Sequence, residues 1–121
     1  MLYTMLIYET EEAAEARSAE ELKACLAEHR RLQERSKEAQ TFVAANELMS
    51  VATATTLRER DGGATVIDGP FAETKEQLVG LYIFDCKDLD EAIAHAKQIP
   101  HVRGGAIEIR PIAHFDTRPS G

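Results

Sequence analysis

An α+β fold, a ferredoxin-like βαββαβ sandwich with an added hairpin strand, is what this sequence predicts. Three observations carry it. Residues 2–8 and 77–85 are apolar on both alternating faces, the pattern of central strands covered on two sides. Each is followed by a capping box and an amphipathic stretch, Ser18 with Glu21 in the first half and Asp88 with Glu91 in the second. Between the halves stands Asp61-Gly62-Gly63, a hairpin turn whose residues accept positive φ cheaply.

The elements follow in order. The helix opened by Ser18 carries Leu22, Cys25, Leu26, His29 and Leu32 at spacings of three and four, one sheet-facing stripe. Glu28, Arg31, Arg35 and Glu38 fall largely on its other side, a mixed, solvated face. Residues 42–48 and 53–60 read as strands, the second rich in β-branched Thr53, Thr55 and Thr56. Residues 64–67 return as the hairpin partner and run straight into Asp68. Thr74 with Gln77 fits another capping box, which predicts a single helical turn before strand 77–85. Leu89, Ala92, Ile93, Ala96 and Ile99 form the buried stripe of the second helix; His95 lies outside it and Pro100 ends it. Ile107, Ile109 and Ile112 occupy a last strand after Gly104-Gly105. Residues 1–112 thus make one domain, and 113–121 a polar C-terminal tail that frays.

That layout puts both helices on one sheet face and leaves apolar side chains of 2–8 and 81–85 on the other. An uncovered patch of that kind is rarely tolerated on a monomer, so a homodimer packed sheet to sheet is expected. Composition narrows the partners further. The 121 residues hold 14 Lys plus Arg against 21 Asp plus Glu, a net charge of −7, so no basic surface is available to neutralise phosphates and no nucleic-acid partner is expected. No apolar run is long enough to span a bilayer, and MLYTMLIYE lacks the basic flank and cleavage site of a signal peptide. No membrane association and a cytoplasmic location are expected. Cys25 and Cys86, the only two cysteines, make neither a disulfide framework nor a zinc spacing and read as small core residues.

The segment DGPFAETKE, residues 68–76, concentrates polar groups on a rigid bend. Pro70 fixes φ and restricts Gly69, so the direction of Phe71 is largely set. Asp68, Glu73, Lys75 and Glu76 come close together there. Residue physics leaves two readings open, a shaped crossover loop capped by its aspartate or a ligand-binding edge. This segment also carries a resemblance. With the run DGPFAETKEQLVGLYIFDC (68–86), then DLDEAIAHAKQIP (88–100) and GGAIEIRPI (104–112), the chain resembles the YCII-related superfamily, in its branch of DGPF-domain proteins. The resemblance implies the dimeric α/β-barrel type of ferredoxin-like fold and a small-molecule pocket. It also implies a His–Asp pair with the histidine on the first helix, where His29 stands. The acid near that helix's end is absent, Glu38 being the only carboxylate, which leaves Asp68 to take the partner's place. Relatives of this branch are often encoded beside, or fused to, sigma factors of the extracytoplasmic-function type, which implies a regulatory partner.

His29 is the residue that interrupts an apolar stripe. A buried, unsatisfied imidazole costs on the order of 1–3 kcal/mol. It is therefore a hydrogen-bonded core histidine, a general acid/base lining a pocket, or a group on the helix flank. His95, His101 and His114 show no ligand spacing, and no metal is expected. Arg58 and Arg110 on strand faces suit either a carboxylate ligand or a fixed ion pair with Glu47 or Glu108. No phosphate loop, dinucleotide fingerprint or GxSxG occurs, so no cofactor is expected. Two functions of different class follow. One is a small-molecule enzyme using His29 and Asp68 for acid/base work, with Arg58, Phe71, Glu73 and Lys75 binding the ligand. The other is a noncatalytic ligand-binding or regulatory module.

Overall fold

Local sequence sets the elements, and their order is that of an α+β protein built on an antiparallel sheet. The computed structural model describes residues 1–119, with the backbone alone at 102 and 103. The chain runs β1 (Leu2–Thr10), α1 (Glu11–Ala16), α2 (Ala19–Glu38), β2 (Phe42–Glu47), β3 (Thr55–Arg60), β4 (Gly63–Asp68), β5 (Glu76–Asp85), α3 (Leu89–Ala96) and β6 (Gly105–Pro111). Short 3-10 turns lie at Val51–Thr53 and Pro100–Arg103. The main sheet has the order β2-β5-β1-β6 with every pair antiparallel, which is compatible with a ferredoxin-like sandwich. Among the described residues no helix is long and apolar enough to cross a membrane.

The two capping boxes act as the sequence predicts. The Ser18 hydroxyl accepts the Glu21 N–H at 3.0 Å, and the Asp88 carboxylate accepts that of Glu91 at 2.9 Å. Alternation along β1 turns Tyr3, Met5, Ile7 and Glu9 inward, where Tyr82 and Phe84 of β5 face them. Leu32 of α2, Ala92 and Ala96 of α3 and Ile99 close over these residues, so both helices share one sheet face. Phe84 stacks on Tyr82 at 5.3 Å and meets the edge of Phe42 at 6.5 Å. Full burial of a side chain such as Phe84 or Met5 contributes about 1.5–3 kcal/mol. The other sheet face presents Thr4 opposite Ile83 and Leu6 opposite Leu81, all half-buried, with Arg110 and Glu108 beside them on β6.

Several expectations change. The hairpin does not extend the main sheet: β3 and β4 form a separate two-stranded sheet joined by a tight turn at Asp61 (φ 52°) and Gly62 (φ 80°). Its cross-strand pair Leu57 and Val66 is 68% and 67% exposed, so the hairpin leaves that apolar face open, while Thr56 and Ile67 on the opposite face are half-buried. The helical turn expected from Thr74 and Gln77 does not form. Gln77 already lies in β5, and its amide donates to the carbonyls of Ala72 and Thr74, which closes the loop without a helix. Asp68 caps no turn among the described residues, because the group two residues on is Pro70, which has no N–H. The bend is held instead by the Gly69 N–H on the Ala54 carbonyl and the Thr56 hydroxyl on the Gly69 carbonyl, both 2.7 Å. Gly69 sits at φ 101°, a conformation that glycine alone adopts cheaply.

The α1 helix was not expected. The Thr10 hydroxyl caps it by accepting the Ala13 N–H, but six residues are too few to show a helical period. In α3, Leu89 is 52% exposed while His95 is half-buried and packs 4.8 Å from Phe84. That histidine donates from Nδ1 to the Glu91 carbonyl and accepts the Thr41 hydroxyl at Nε2. The helix ends at Ala96, and Pro100 opens the following 3-10 turn. Of the tail read over 113–121, residues 120 and 121 lie outside the described residues.

Candidate functional site

The α2 stripe is sealed only at its C-terminal end. Leu32 is buried, yet Leu22 and Leu26 are each 46% exposed, because the helix stands away from the sheet along its first half. The space left is a cavity of about 720 Å³. Its walls are largely apolar, with Leu22 and Leu26 from the helix and Ala45, Leu48 and Val79 from the sheet side. His29, Gln33, Tyr82 and His101 form its polar floor.

Each floor residue arrives from a different element. His29 and Gln33 lie one helical turn apart on α2, so both point at the sheet. Tyr82 is an inward position of β5, and Glu9 is the last inward position of β1. Arg17 is the first of the two residues between α1 and α2, and that corner carries its guanidinium back over Glu9. The 3-10 turn after α3 delivers His101.

These groups form one connected chain. Gln33 Nε2 donates to the Tyr82 hydroxyl oxygen at 3.2 Å. The Tyr82 oxygen lies 2.7 Å from His29 Nδ1, and His29 Nε2 lies 2.9 Å from His101 Nδ1. His101 Nε2 faces Glu9 Oε2 at 3.5 Å, long for a hydrogen bond but well placed to orient the ring. Arg17 grips both oxygens of Glu9 through its two terminal nitrogens. The network itself assigns the protons, because its two ends cannot reverse. Gln33 can only donate through its amide nitrogen, and Glu9 as a carboxylate can only accept. Tyr82 therefore gives its proton to His29 Nδ1, His29 donates from Nε2 to His101, and His101 carries its hydrogen on Nε2 towards Glu9.

Electrostatics keeps this chain neutral in its middle. Burial pushes the His29 pKa from 6.5 down to about 4, helped by His101 and Arg17 and opposed by Glu28. Burial also lowers His101, although the Glu9 carboxylate pulls the other way. Tyr82 is raised by burial, so it stays a phenol, and the hydrogen bond to Glu9 raises Arg17. A pH dependence follows. Because His29 binds its proton less readily folded than unfolded, its contribution to stability is complete above pH 6.5. It is lost as pH falls from there towards about 4. Urea midpoints of the wild type should fall over that interval more steeply than those of His29→Gln. Parallel pH profiles for the two proteins would contradict the assignment.

The remaining residues singled out in the sequence lie elsewhere. Asp68 is exposed at the end of β4 opposite Thr55, and it is not among the partners of His29. Phe71 is 73% exposed beneath the Arg58 guanidinium, which also donates to the Phe71 carbonyl at 3.2 Å. Glu73 and Lys75 line a second, open cavity of about 470 Å³ beside Gly69, Pro70, Glu11 and Glu12. Sequence reasoning missed Glu9, Arg17, Gln33, Tyr82 and His101. Gln33 had a signal, standing four residues after His29 on the same helical face. His101 had none, since it follows a proline in a short turn and reaches the site only through tertiary packing.

A family model for the YCII-related domain matches residues 1–116. An uncharacterised protein of Rhizobium meliloti (strain 1021) is 39% identical over 117 residues, covering 95% of this chain and 94% of that relative.

Proposed function

The chain belongs to the YCII-related family, and on that footing we propose that it binds a small molecule in the cavity beneath α2 and moves a proton there. The ligand class that suits the walls has an apolar body and a single polar or ionisable group. The observation that carries the reading is the hydrogen-bonded run from Tyr82 through His29 to His101 at the cavity floor, with the Glu9 carboxylate 3.5 Å beyond it. A lone imidazole with a pKa near 4 is a weak base at neutral pH. The chain offsets this by passing the proton onward. A ligand proton taken up at the Tyr82 oxygen releases the phenolic proton to His29 Nδ1. The Nε2 proton of His29 then moves to His101 Nδ1, and that of His101 to Glu9. Glu9, reached through His101, does the orienting that the sequence reading gave to Asp68.

A screen of apolar fragments bearing one carboxyl, enol or phenol group against metal-free protein tests this by protein-observed NMR. Shifts should concentrate on Cys25, His29, Ala45 and Gly80. His29→Ala should weaken binding, and for any fragment that is turned over it should lower the rate by roughly 10²–10⁴-fold. Fragments that gather only at the hairpin, or an alanine variant with unaltered binding and turnover, would remove the proposal.

The sheet face bearing Leu6, Leu81 and Ile83 supports a homodimer of the dimeric α/β-barrel type. Light scattering at micromolar concentration should give twice the chain mass, and a monomer would refute it. A second, noncatalytic reading draws on the exposed cross-strand pair Leu57 and Val66, a surface suited to a regulatory partner such as an extracytoplasmic-function sigma factor. A pull-down with a genetically linked sigma factor that retains nothing would count against that reading.

A further inference from the structure

The cavity floor holds a donor set that joins two members of the proton chain, His29 and His101, to a thiol outside it. Cys25 stands one helical turn before His29 on α2, and Cys25, His29 and His101 bring ligand atoms within 4.8 Å of one another. All three line the cavity, and neither cysteine of the chain is in a disulfide. We propose that Cys25 Sγ, His29 Nε2 and His101 Nδ1 bind a single zinc-class divalent ion, with its fourth position open to the cavity.

Three arguments support the site. One thiolate and two imidazoles are a donor set that zinc prefers, and three protein ligands with one open position are the arrangement of catalytic rather than structural zinc. The spacing is close to that required. Zinc–nitrogen bonds of about 2.0–2.1 Å in a tetrahedron separate two nitrogens by roughly 3.3 Å. The pair stands at 2.9 Å, so a small parting of the rings suffices. The outer side of each imidazole is also already furnished. Metal-bound histidines usually donate their second N–H to a carboxylate or another acceptor. His101 Nε2 faces the Arg17-clamped carboxylate of Glu9, and His29 Nδ1 meets the Tyr82 oxygen. In the other candidate cluster among the described residues, Cys86, Glu91 and His95, the nitrogen that faces Cys86 is His95 Nδ1, which already serves the Glu91 carbonyl.

Binding would have a definite effect on the chain of hydrogen bonds. The ion takes the two nitrogens through which His29 and His101 exchange a proton, so the metal-loaded and proton-relaying forms exclude each other. The thiol proton of Cys25 leaves to solvent, and the hydrogen of His29 moves from Nε2 to Nδ1. Tyr82 then accepts from His29 and turns its own O–H towards the cavity. To this extent the inference builds on the proton chain, but its defining ligand, Cys25, lies outside that chain.

The test is calorimetric titration of chelator-stripped protein with Zn(II) alone, with Co(II) as a spectroscopic stand-in. The expected result is one ion per chain and a thiolate-to-cobalt charge-transfer band. Cys25→Ser should abolish the band, and both Cys25→Ser and His101→Ala should weaken binding at least about tenfold. Thermal melts of the stripped variants verify that they fold. No saturable binding to the wild type, or equal affinity in folded Cys25→Ser, overturns the proposal. The fragment screen on metal-free protein fails or succeeds separately, so loss of either reading leaves the other standing.

Discussion

Replacing Arg17 with alanine should cost about 3–5 kcal/mol of stability, a large fraction of what a domain this size possesses. Glu9 is 4% exposed at the end of a central strand, and Arg17 contacts both of its carboxylate oxygens. The truncated protein keeps the buried anion and loses the cation that compensates it. His101 is a poor substitute for that cation, since burial disfavours its charged form and its Nε2 stands 3.5 Å from Glu9. Arg17→Lys should recover only part of the loss, because a single ammonium cannot match the two-pronged grip of a guanidinium. Urea denaturation at pH 7.5 measures the difference. A loss below about 1 kcal/mol, the range of an exposed ion pair, would mean that water reaches Glu9 and screens it.

Gly105→Ala should be at least as damaging, with about 3 kcal/mol or more expected. A Cβ on Gly105 would stand 2.0 Å from the Tyr8 carbonyl oxygen and 3.4 Å from the Glu9 Cα. These are backbone atoms of β1 in register with β6, so no side-chain rotation can relieve the clash. The strand must move away, and the inward end of β1 that carries Glu9 moves with it. Gly104→Ala is the matched control: it has open space around its Cβ and φ −132°, which any residue adopts. Thermal unfolding should separate the two neighbours by several degrees or more. Similar melting temperatures would show that β6 pairs with β1 less tightly than the register implies.

The parts of the fold written in local chemistry were readable from the residues. Ser18 and Asp88 announce their helices because a cap is a contact between near neighbours. Two-faced apolar runs mark β1 and β5 because the inner strands of the sheet bury one face under the helices and half-bury the other. Asp61-Gly62 marks its turn because few residues tolerate positive φ. What local chemistry does not encode is which loop settles over which helix. His29 stood out as a polar group in an apolar stripe, but its partners come from 53 and 72 residues away. Asp68 drew attention because it sits in a dense polar motif, and that motif proves to be stitched to its own hairpin. Arg17 was invisible for a simpler reason. It occupies the corner between a short unexpected helix and a long expected one, and only the corner gives it a direction.

The fixed direction of the hydrogen-bond chain also acts as a filter on whatever enters the cavity. Tyr82 already gives its proton to His29 and receives one from Gln33. An incoming molecule that displaces Gln33 meets a lone pair, not an O–H. It would need a donor of its own, so the proposed site would admit acids, enols and phenols in their protonated forms and turn away their anions. Metal occupancy would invert that preference, since the freed Tyr82 O–H would then welcome the anion. One tyrosine oxygen would thus read the protonation state of its guest, in opposite senses in the two forms of the protein.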